Sequence, residues 1–227
     1  MRKFVQIAID GPAAAGKSTI AKIVAQDLGY VYIDTGAMYR AITLAVLNNH
    51  VAIDDEDAIA KLLNKTNIVL NPSGQVLIND LDVTVQIREH AVTSLVAQVA
   101  AYEPVRKALK QQQIALANTA NVIMDGRDIG TNVLPMADFK FFMIADARVR
   151  AVRRYEENLK IGVDSNLDDL EAEIKKRDEM DVNRAYAPLK QAKDAILIDT
   201  SALSINEVVD KILGYVFQTS IHTPTST

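Results

Sequence analysis

The sequence of 227 residues contains no cysteine and no tryptophan, and aromatic residues make up only 5% of it. Without cysteine the chain cannot form a disulfide or a thiolate metal site, which excludes disulfide-stabilised scaffolds and zinc sites built on sulfur. The lack of disulfides suits a reducing compartment. We therefore expect a cytoplasmic protein.

Two further absences limit the partners of the protein. No apolar run reaches the roughly 18 residues of a membrane-spanning helix. The first apolar stretch leads directly into a loop motif, so we expect no cleavable signal peptide. The formal net charge of −4 provides no general attraction to nucleic acid or to an anionic membrane. Any phosphate ligand must therefore be held by local clusters of Lys and Arg.

The composition is otherwise typical of a globular domain, with 49% hydrophobic and 24% charged residues. The length fits one domain, predicted over residues 1–217, with room for inserted subdomains. Residues 218–227 contain no Asp, Glu, Lys or Arg and are predicted to form a disordered tail.

The most informative segment is residues 7–19, where an apolar stretch enters the pattern G-x-x-x-x-G-K-[ST] and a helical pattern follows. Glycines permit backbone angles that other residues resist, so such a loop can wrap an anion with its N–H groups pointing inward. The positive N-terminal end of the following helix adds to this attraction. The predicted nucleotide-binding loop comprises Gly11, Pro12, Ala13, Ala14, Ala15, Gly16, Lys17, Ser18 and Thr19.

Two side chains of this loop have specific tasks in phosphate binding. Lys17 supplies a mobile charge for the terminal phosphates, and the Ser18 hydroxyl is a ligand for Mg²⁺, the predicted cofactor. The pattern indicates that a nucleotide binds, but it leaves open what is done with the nucleotide.

Apolar stretches alternate with helical patterns along the chain, which is typical of a parallel sheet with helices on both faces. The predicted fold class is therefore α/β, with a five-stranded parallel sheet. In such sheets, ligands bind beyond the carboxyl ends of the strands. The predicted strands cover residues 3–9, 31–33, 121–126, 139–144 and 195–198.

The pattern changes between residues 67 and 85, where two apolar triplets flank a turn that contains Pro and Gly and predict a β-hairpin. A third short strand is predicted at residues 83–85, and this β module looks like an insertion. Helices are predicted at 86–100 and 104–118, with Pro104 in the first turn of the second.

Two turns at predicted strand ends carry residue types that can bind anions. The first, residues 34–40, opens a helix and places Arg40 about one turn after its start. The second, residues 125–130, combines Arg127 and Asp128 with flanking glycines. From these local signals alone, a capped helix and a plain turn with surface ion pairs remain alternatives.

The charged segment between residues 146 and 190 predicts two helices with arginine-rich faces. The first carries Arg148, Arg150, Arg153 and Arg154, and the second carries Arg177, Asp181 and Arg184. Single charges would indicate only a solvated helix. Phosphoryl transfer needs fixed cations around the transferred group, and planar guanidinium groups suit that task. We interpret residues 148–186 as a helical lid that closes over phosphates.

Four motifs, in order and with fitting spacing, resemble those of the bacterial cytidylate kinase family, a group of P-loop kinases that act on nucleoside monophosphates. They lie at residues 11–19, 34–40, 126–130 and 176–189. The resemblance implies transfer of the γ-phosphoryl group of ATP to CMP or dCMP, with Mg²⁺, giving the diphosphate and ADP. It also implies that residues 36–106 form an inserted subdomain that binds the nucleoside monophosphate.

The resemblance further implies roles for individual residues. Lys17, Arg154 and Arg184 would stabilise the transferring group, and residues 11–19 would bind ATP. The residues that would bind CMP are Thr35, Arg40, Arg106, Arg127, Asp128, Arg177, Asp181 and Arg184. Of these, Arg106 and Asp128 would read the cytosine, and Arg177 and Asp181 would reach the sugar. ATP and CMP or dCMP are the partners we expect, and we expect a monomer.

One position departs from the family pattern. Ala97 stands where related enzymes have a serine that contacts the base, and Ser94 lies one helical turn away. The loss of one hydrogen bond costs about 1 kcal/mol or more. Discrimination between cytosine and uracil therefore depends on what replaces this contact.

Other functions share parts of this pattern. A GTP-binding switch has the same loop, but it also requires a D-x-x-G turn, which the sequence lacks, and an N-K-x-D motif, for which residues 64–67 read Asn-Lys-Thr-Asn. A kinase for another small acceptor, such as AMP, UMP or shikimate, would have the same fold. A pure binding module is disfavoured by the arginine-rich lid.

Overall fold

The computed structural model describes residues 3–71, 73–160 and 162–221. Its strands are β1 (Gln6–Asp10), β2 (Val31–Asp34), β3 (Ile68–Leu70), β4 (Val76–Ile78), β5 (Leu81–Asp82), β6 (Val122–Gly126), β7 (Phe139–Ile144) and β8 (Ile196–Asp199). Its α-helices are α1 (Lys17–Leu28), α2 (Thr35–Asn48), α3 (Glu56–Leu63), α4 (His90–Val99), α5 (Glu103–Ala117), α6 (Ala147–Lys160), α7 (Leu167–Asn183) and α8 (Ile205–Ile221).

Five strands form one parallel sheet in the order β2-β6-β1-β7-β8, which confirms the predicted fold class. Side chains of β1 alternate between its faces, so that Ile7 and Ile9 pack with α1 and α8 while Ala8 packs with α5. Helices therefore cover both faces. Because the strands are parallel, the carboxyl ends of β2, β6 and β1 lie side by side at one edge.

A second unit is built on α2. On one side of this helix Met38 and Ile42 share an apolar cluster with Leu63 of α3 and Leu109 of α5. On the other side α2 packs against the antiparallel sheet β3-β4-β5 and against α4. The predicted hairpin is confirmed by the pairing of β3 with β4. The unit therefore adjoins the strand-end edge of the main sheet through the N-terminal turn of α2.

The third strand of this small sheet differs from the prediction of 83–85, because pairing occurs at β5, directly after the turn. Asn79 and Asp80 have φ angles of 48° and 69°. Two consecutive residues in the left-handed region make the tight hairpin turn that matches strand twist, so Leu81 pairs with Ile78 at once.

Two helical predictions change in detail. The helix predicted at 86–100 is split, because Glu89 is extended between a 3₁₀ turn at Gln86–Arg88 and α4. A π-helical turn at Ile129–Val133 follows β6, where no helix was predicted. Such turns are frequent at functional sites.

The final helix extends to Ile221 rather than residue 217, so the prediction of a disordered tail from residue 218 was wrong for its first four residues. The apolar face of α8 packs on the sheet through Val208, Ile212 and Val216, which stabilises the helix beyond its local propensity. Residues 222–227 of the predicted tail lie outside the described residues.

The two helices of the predicted lid, α6 and α7, pack against each other after β7. Asn166 caps α7 by accepting hydrogen bonds from the N–H groups of Asp168 and Asp169. In the ranges that the structure describes, no helix is long and apolar enough to cross a membrane.

Candidate active site

The phosphate loop, residues 11–16, connects β1 to α1, and its shape depends on two glycines. Gly11 has φ of 151°, and a Cβ atom there would lie 2.1 Å from the carbonyl oxygen of Met143 in β7. Gly16 has φ of 83° at the N-cap of α1. A residue with a side chain fits neither position without strain. The loop can therefore approach β7 closely and then turn sharply into the helix.

Two carbonyl groups of the phosphate loop are bound by cations. Lys17 Nζ donates a hydrogen bond to the Pro12 carbonyl at 2.6 Å, and Arg150 Nη1 donates to the Ala13 carbonyl at 2.9 Å. These bonds hold the loop from its carbonyl side, so the N–H groups at the start of α1 stay available for an anion. The loop has the geometry of a phosphate-binding turn.

Arg150 connects this loop to two other elements. Its Nε donates to the Ala145 carbonyl after β7 at 2.8 Å, and its Nη2 lies 2.7 Å from Asp178 Oδ2 on α7. The side chain is buried. One guanidinium therefore links the phosphate loop directly to α7.

Lys17 is buried, with 5% of its surface exposed. Burial lowers the pKa of its ammonium group, and the positive charge of Arg127 lowers the pKa further, whereas Asp125 and Asp10 act in the opposite direction. An anion bound in the loop would stabilise the charged form. The charge of Lys17 would therefore strongly stabilise a phosphate bound in the loop.

Ser18 and Asp125 bring oxygen atoms together at the edge where the phosphate loop meets β6. Ser18 Oγ donates to Asp125 Oδ2 at 2.9 Å, and the hydroxyl of Tyr32 on β2 donates to Asp125 Oδ1 at 2.7 Å. Burial raises the pKa of the Asp125 carboxyl, and the neighbouring Asp34 raises it further. A divalent cation would relieve this repulsion between carboxylates.

Hydroxyl and carboxylate oxygens are the donors that Mg²⁺ prefers, so Ser18 and Asp125 fit the chemistry of a magnesium site. No group of three or more His, Cys, Asp and Glu side chains in the described part of the chain could hold a metal ion. The cation would therefore depend on phosphate oxygens for much of its coordination, as is usual for Mg²⁺ in kinases.

Asp10, at the end of β1, fixes the turn that follows β6. Its carboxylate accepts hydrogen bonds from the N–H groups of Ile129 at 2.8 Å and Gly130 at 2.7 Å. Burial raises the pKa of Asp10 to about 7, although the two N–H groups lower it. The carboxylate thereby positions the preceding residues Arg127 and Asp128 next to the phosphate loop.

Asp128 is the centre of a buried charge cluster beside this turn. Arg106 Nη2 on α5 donates to Asp128 Oδ1 at 2.6 Å, and Arg184 Nη2 lies 3.6 Å from the same oxygen. The guanidinium of Arg106 also lies 5.1 Å from the ring centre of Tyr39. Asn132 donates to Asp128 Oδ2 at 2.8 Å. Both carboxylate oxygens therefore have a fixed direction.

Asp181 on α7 joins three arginines. Arg127 Nε donates to Asp181 Oδ2 at 2.9 Å, while Arg177 and Arg184 lie 3.5 Å from its oxygens. Burial alone would raise the pKa of Asp181, but the three guanidinium groups keep it below its usual value. Asp181 is therefore ionised and holds the arginines from one side.

The arginines of this region leave donors unused. Burial, together with the positive charges of Arg127 and Arg40, lowers the pKa of Arg177 to about 10, although Asp181 acts in the opposite direction. A buried donor without a partner costs about 1–3 kcal/mol. The buried nitrogens with no hydrogen-bond partner in the described structure include Arg40 Nε, Arg106 Nε, Arg177 Nε and Arg184 Nη2. Excess positive charge and unused donors together fit a bound anion.

A cavity of about 310 Å³ lies between the phosphate loop, α4 and the two lid helices. Ala13 and Ala14 contribute the loop side, Ser94 contributes the α4 side, and Arg154 and Arg177 contribute the lid side. The cavity therefore adjoins both the phosphate loop and one arginine from each lid helix.

The structure separates the four arginines of α6. Arg154 lines the cavity, and Arg150 binds the phosphate loop. Arg153 instead donates to the Thr200 carbonyl at 2.6 Å, and Arg148 pairs on the surface with Asp168 and Glu171 of α7. Helical spacing placed them on one helix but did not distinguish the side chains that face the cavity.

Most predicted site residues come together at this edge, including Thr35, whose hydroxyl donates to the Asp125 carbonyl at 2.7 Å. Arg40 pairs with Asp34 at 2.9 Å, and Thr19 is exposed on α1. Sequence reasoning did not identify Asp125 as the hydrogen-bond partner of Ser18. The signal was present, because an Asp at the end of a strand beside the phosphate-loop strand is at the binding edge.

The comparisons with known proteins agree with this geometry. The sequence model of the cytidylate kinase family matches residues 7–218. The chain belongs to this family. A cytidylate kinase from Listeria monocytogenes is 52% identical over 94% of this chain and 96% of its own length. One from Geobacillus sp. is 53% identical, with 95% and 98% covered.

Solved structures support the fold of this family member. A gluconokinase from Sinorhizobium meliloti aligns with a TM-score of 0.51 at 14% identity, covering 96% of this chain and 95% of its own. An uncharacterised protein from Eubacterium ventriosum aligns with a TM-score of 0.52 at 15% identity, covering 95% and 99%. This member of the cytidylate kinase family therefore shares its fold with proteins of low sequence identity.

Proposed function

We propose that this protein transfers the γ-phosphoryl group of ATP to CMP or dCMP, giving ADP and CDP or dCDP. Membership of the cytidylate kinase family supports the substrate class. The observation that carries the proposal is the pair of adjoining subsites: a phosphate-binding loop, and a buried cluster of arginines and aspartates with unused donors beside it.

ATP is proposed to bind with its phosphates in the loop of residues 11–19. The N–H groups at the start of α1 and the buried Lys17 would hold the β- and γ-phosphates. Charge spreads over the equatorial oxygens of the transferring group, so fixed cations stabilise it more than a base would. Lys17 lies on the loop side of that group, and Arg154 and Arg184 are proposed to contribute from the lid side.

Mg²⁺ is proposed as the cofactor, held by ATP oxygens and Ser18, with Asp125 next to it. When bound, the ion neutralises phosphate charge and fixes the orientation of the terminal phosphates. The chain itself supplies the 2.9 Å hydrogen bond that already places the Ser18 hydroxyl against Asp125. This arrangement needs no further protein ligand.

CMP is proposed to bind in the arginine–aspartate cluster. Arg40, Arg127 and Arg177 would hold its phosphate. The charges of Arg127 and Arg40 both lower the pKa of Arg177, so the three guanidinium groups form one cationic cluster, and of these three Asp181 pairs with Arg127 and Arg177. Thr35, at the N-terminus of α2, would add a hydroxyl and a helix end. The proposed contacts of Arg184 and Asp181 lie toward the sugar and the transferring group.

Asp128 and Arg106 are proposed to read the cytosine. Cytosine presents an amino donor and a ring-nitrogen and carbonyl acceptor at its pairing edge, which a carboxylate and a guanidinium complement. Uracil presents a carbonyl where cytosine has the amino group, and Asp128 would repel it. Ala97 is buried, whereas Ser94 faces the cavity. Because position 97 has no hydroxyl, selection of cytosine is proposed to depend on Asp128.

Closure of the site is proposed to involve residues 36–106 on the CMP side and the lid, residues 148–186, on the ATP side. Bringing both toward the phosphate loop would align the acceptor oxygen with the γ-phosphorus and exclude water, which otherwise hydrolyses ATP. Arg150 ties α7 to the loop, so movement of the lid and the loop backbone would be coupled.

The proposed reaction uses only ATP, Mg²⁺ and CMP or dCMP, and every proposed contact comes from one chain. We therefore propose that a monomer is active. The substrates are cytoplasmic metabolites, which is why we propose the cytoplasm as the place of action.

The test is release of ADP with ATP and Mg²⁺ and with CMP, dCMP, UMP and AMP supplied in parallel at equal concentration. Turnover with CMP and dCMP and little with UMP or AMP is the expected result. Comparable turnover with UMP would contradict base selection by Asp128. No turnover with any of the four would overturn the proposed function.

A further inference from the structure

Tyr32 lies in an unexpected position for a residue of an edge strand. Its hydroxyl group reaches the neighbouring strand β6 and donates a hydrogen bond of 2.7 Å to Asp125 Oδ1. The other oxygen, Oδ2, accepts from Ser18 Oγ at 2.9 Å. The two oxygens of one buried carboxylate are thus bound by different elements, β2 on one side and the phosphate loop helix α1 on the other.

The remaining surroundings of Tyr32 keep its ring in place. The ring packs against the core cluster between the sheet and α1, and Lys22 Nζ of α1 lies 5.7 Å from the ring centre. A carboxylate rotates easily about its terminal torsion, because that torsion has a broad and roughly two-fold profile. The hydrogen bond from the phenol restricts this rotation by holding Oδ1 on the β2 side, while Oδ2 accepts from Ser18.

We propose that Tyr32 is a positioning residue that holds Asp125 with Oδ2 directed at Ser18, and that it thereby strengthens binding of the magnesium–nucleotide complex. The inference rests on the proposed ATP site with Mg²⁺. Residues that orient a metal ligand from behind commonly have large effects on metal affinity. Tyr32 touches neither nucleotide nor metal in this arrangement and acts only through Asp125.

The experiment compares ADP binding with Mg²⁺ and with excess EDTA by isothermal titration calorimetry, because the chain has no tryptophan to report binding by fluorescence. In Tyr32→Phe the ring stays and only the hydroxyl is lost. We expect affinity for ADP in Mg²⁺ to fall by about three- to tenfold, the value of one hydrogen bond, while affinity in EDTA is unchanged.

Tyr30→Phe is the matched control, because Tyr30 precedes the same strand and packs against the same core cluster. It should leave both affinities unchanged. A double-mutant cycle tests whether Tyr32 acts through the carboxylate of Asp125. In the Asp125→Asn background, the further change Tyr32→Phe should have no effect on binding in Mg²⁺.

Three results would overturn the inference. Equal loss in Mg²⁺ and in EDTA would show a general effect on the site, and no loss in either would show that the hydroxyl is not used. A full effect of Tyr32→Phe in the Asp125→Asn background would show that it does not act through Asp125. If wild-type binding of ADP is itself independent of Mg²⁺, the proposed magnesium site fails together with this inference.

Discussion

The two halves of the site are built in different ways. On the ATP side the phosphate loop is one continuous segment, in which glycines, backbone N–H groups and a single lysine follow each other within residues 11–19. The CMP side is assembled from side chains of α2, α5, α7 and the turn after β6, which are far apart in sequence. Anion binding by backbone needs a local conformation, whereas reading a base needs charges that only the complete fold brings together.

The ATP half and the CMP half also differ in their electrostatics. On the ATP side the buried Lys17 stands among carboxylates, with Asp10 and Asp125 nearby. On the CMP side Asp128 and Asp181 are each paired with several guanidinium groups. If the two halves act independently, a substitution in one half should affect the use of only one substrate, either ATP or CMP.

The largest effect should come from Lys17→Met, which removes the buried cation and keeps its apolar stem. Loss of a group that stabilises the transferring charge should lower kcat by about 100- to 1,000-fold. KM for CMP should change little, because Lys17 lies on the loop side. Steady-state kinetics with each substrate varied in turn measure both constants.

Lys107→Met is the control for loss of a lysine, because Lys107 pairs with Glu103 on the exposed side of α5. It should leave kcat unchanged. A large rise in KM for CMP in Lys17→Met, with little loss of kcat, would contradict the division between the halves.

Asp128→Asn should affect the other half. The substitution replaces the carboxylate that Arg106 binds at 2.6 Å with a neutral amide. Hydrogen bonds to charged groups are worth about 1.5–3 kcal/mol, so kcat/KM for CMP should fall by about 10- to 100-fold while KM for ATP stays near its original value. Unchanged use of CMP with weakened use of ATP would show that Asp128 is assigned to the wrong side.

Arg150→Met should weaken the ATP side by a smaller amount. The change removes the hydrogen bond to the Ala13 carbonyl and leaves Asp178 without its partner. We expect KM for ATP to rise by about tenfold, the cost of one charged hydrogen bond, with no change in KM for CMP.

Arg148→Met, two residues earlier on α6, is the matched control, because Arg148 pairs at the surface with Asp168 and Glu171. Exposed pairs contribute little, so neither KM should change. Equal effects of the two variants would mean that the loss arises from α6 as a whole and not from the phosphate loop.

Stability should depend on pH through the buried carboxyl group of Asp10. Burial raises the pKa of Asp10 to about 7, above its ordinary value of 3.8, so the folded protein binds this proton more tightly than the unfolded chain does. This contribution is complete below pH 3.8 and is lost as pH rises through 7. The free energy of unfolding should therefore decline across this range, by at most about 1.4 kcal/mol per pH unit from this group.

Asp10→Asn removes the titrating group, so its free energy of unfolding should vary less with pH across that window. Urea denaturation at several pH values measures the difference between the two proteins. Parallel curves for wild type and variant would show that Asp10 titrates normally in the folded protein.

The same contrast explains how far sequence reasoning reached. The loop between β1 and α1 and the five strands follow from local patterns, and the structure confirms them. The partners of Arg106 could not be derived from spacing, because 22 residues separate it from Asp128. Which arginine of α6 faces the phosphate loop also depends on how that helix packs after β7.

Other differences have specific causes in tertiary contacts. Asp125 was read as part of a turn, although its carboxylate receives hydrogen bonds from Ser18 and Tyr32, which are 107 and 93 residues away. The start of the disordered tail was placed too early, because packing on the sheet extends α8 beyond what its composition indicates. Residues that act by orienting other side chains do not form a recognisable sequence motif.

The most direct test of the division is equilibrium binding of CMP alone and of ADP with Mg²⁺ alone to wild type, Asp128→Asn and Arg150→Met, measured by calorimetry. The account predicts a crossed result, in which Asp128→Asn loses affinity only for CMP and Arg150→Met only for ADP. Loss of both affinities in either variant, with the fold intact by circular dichroism, would contradict the separation of the two halves.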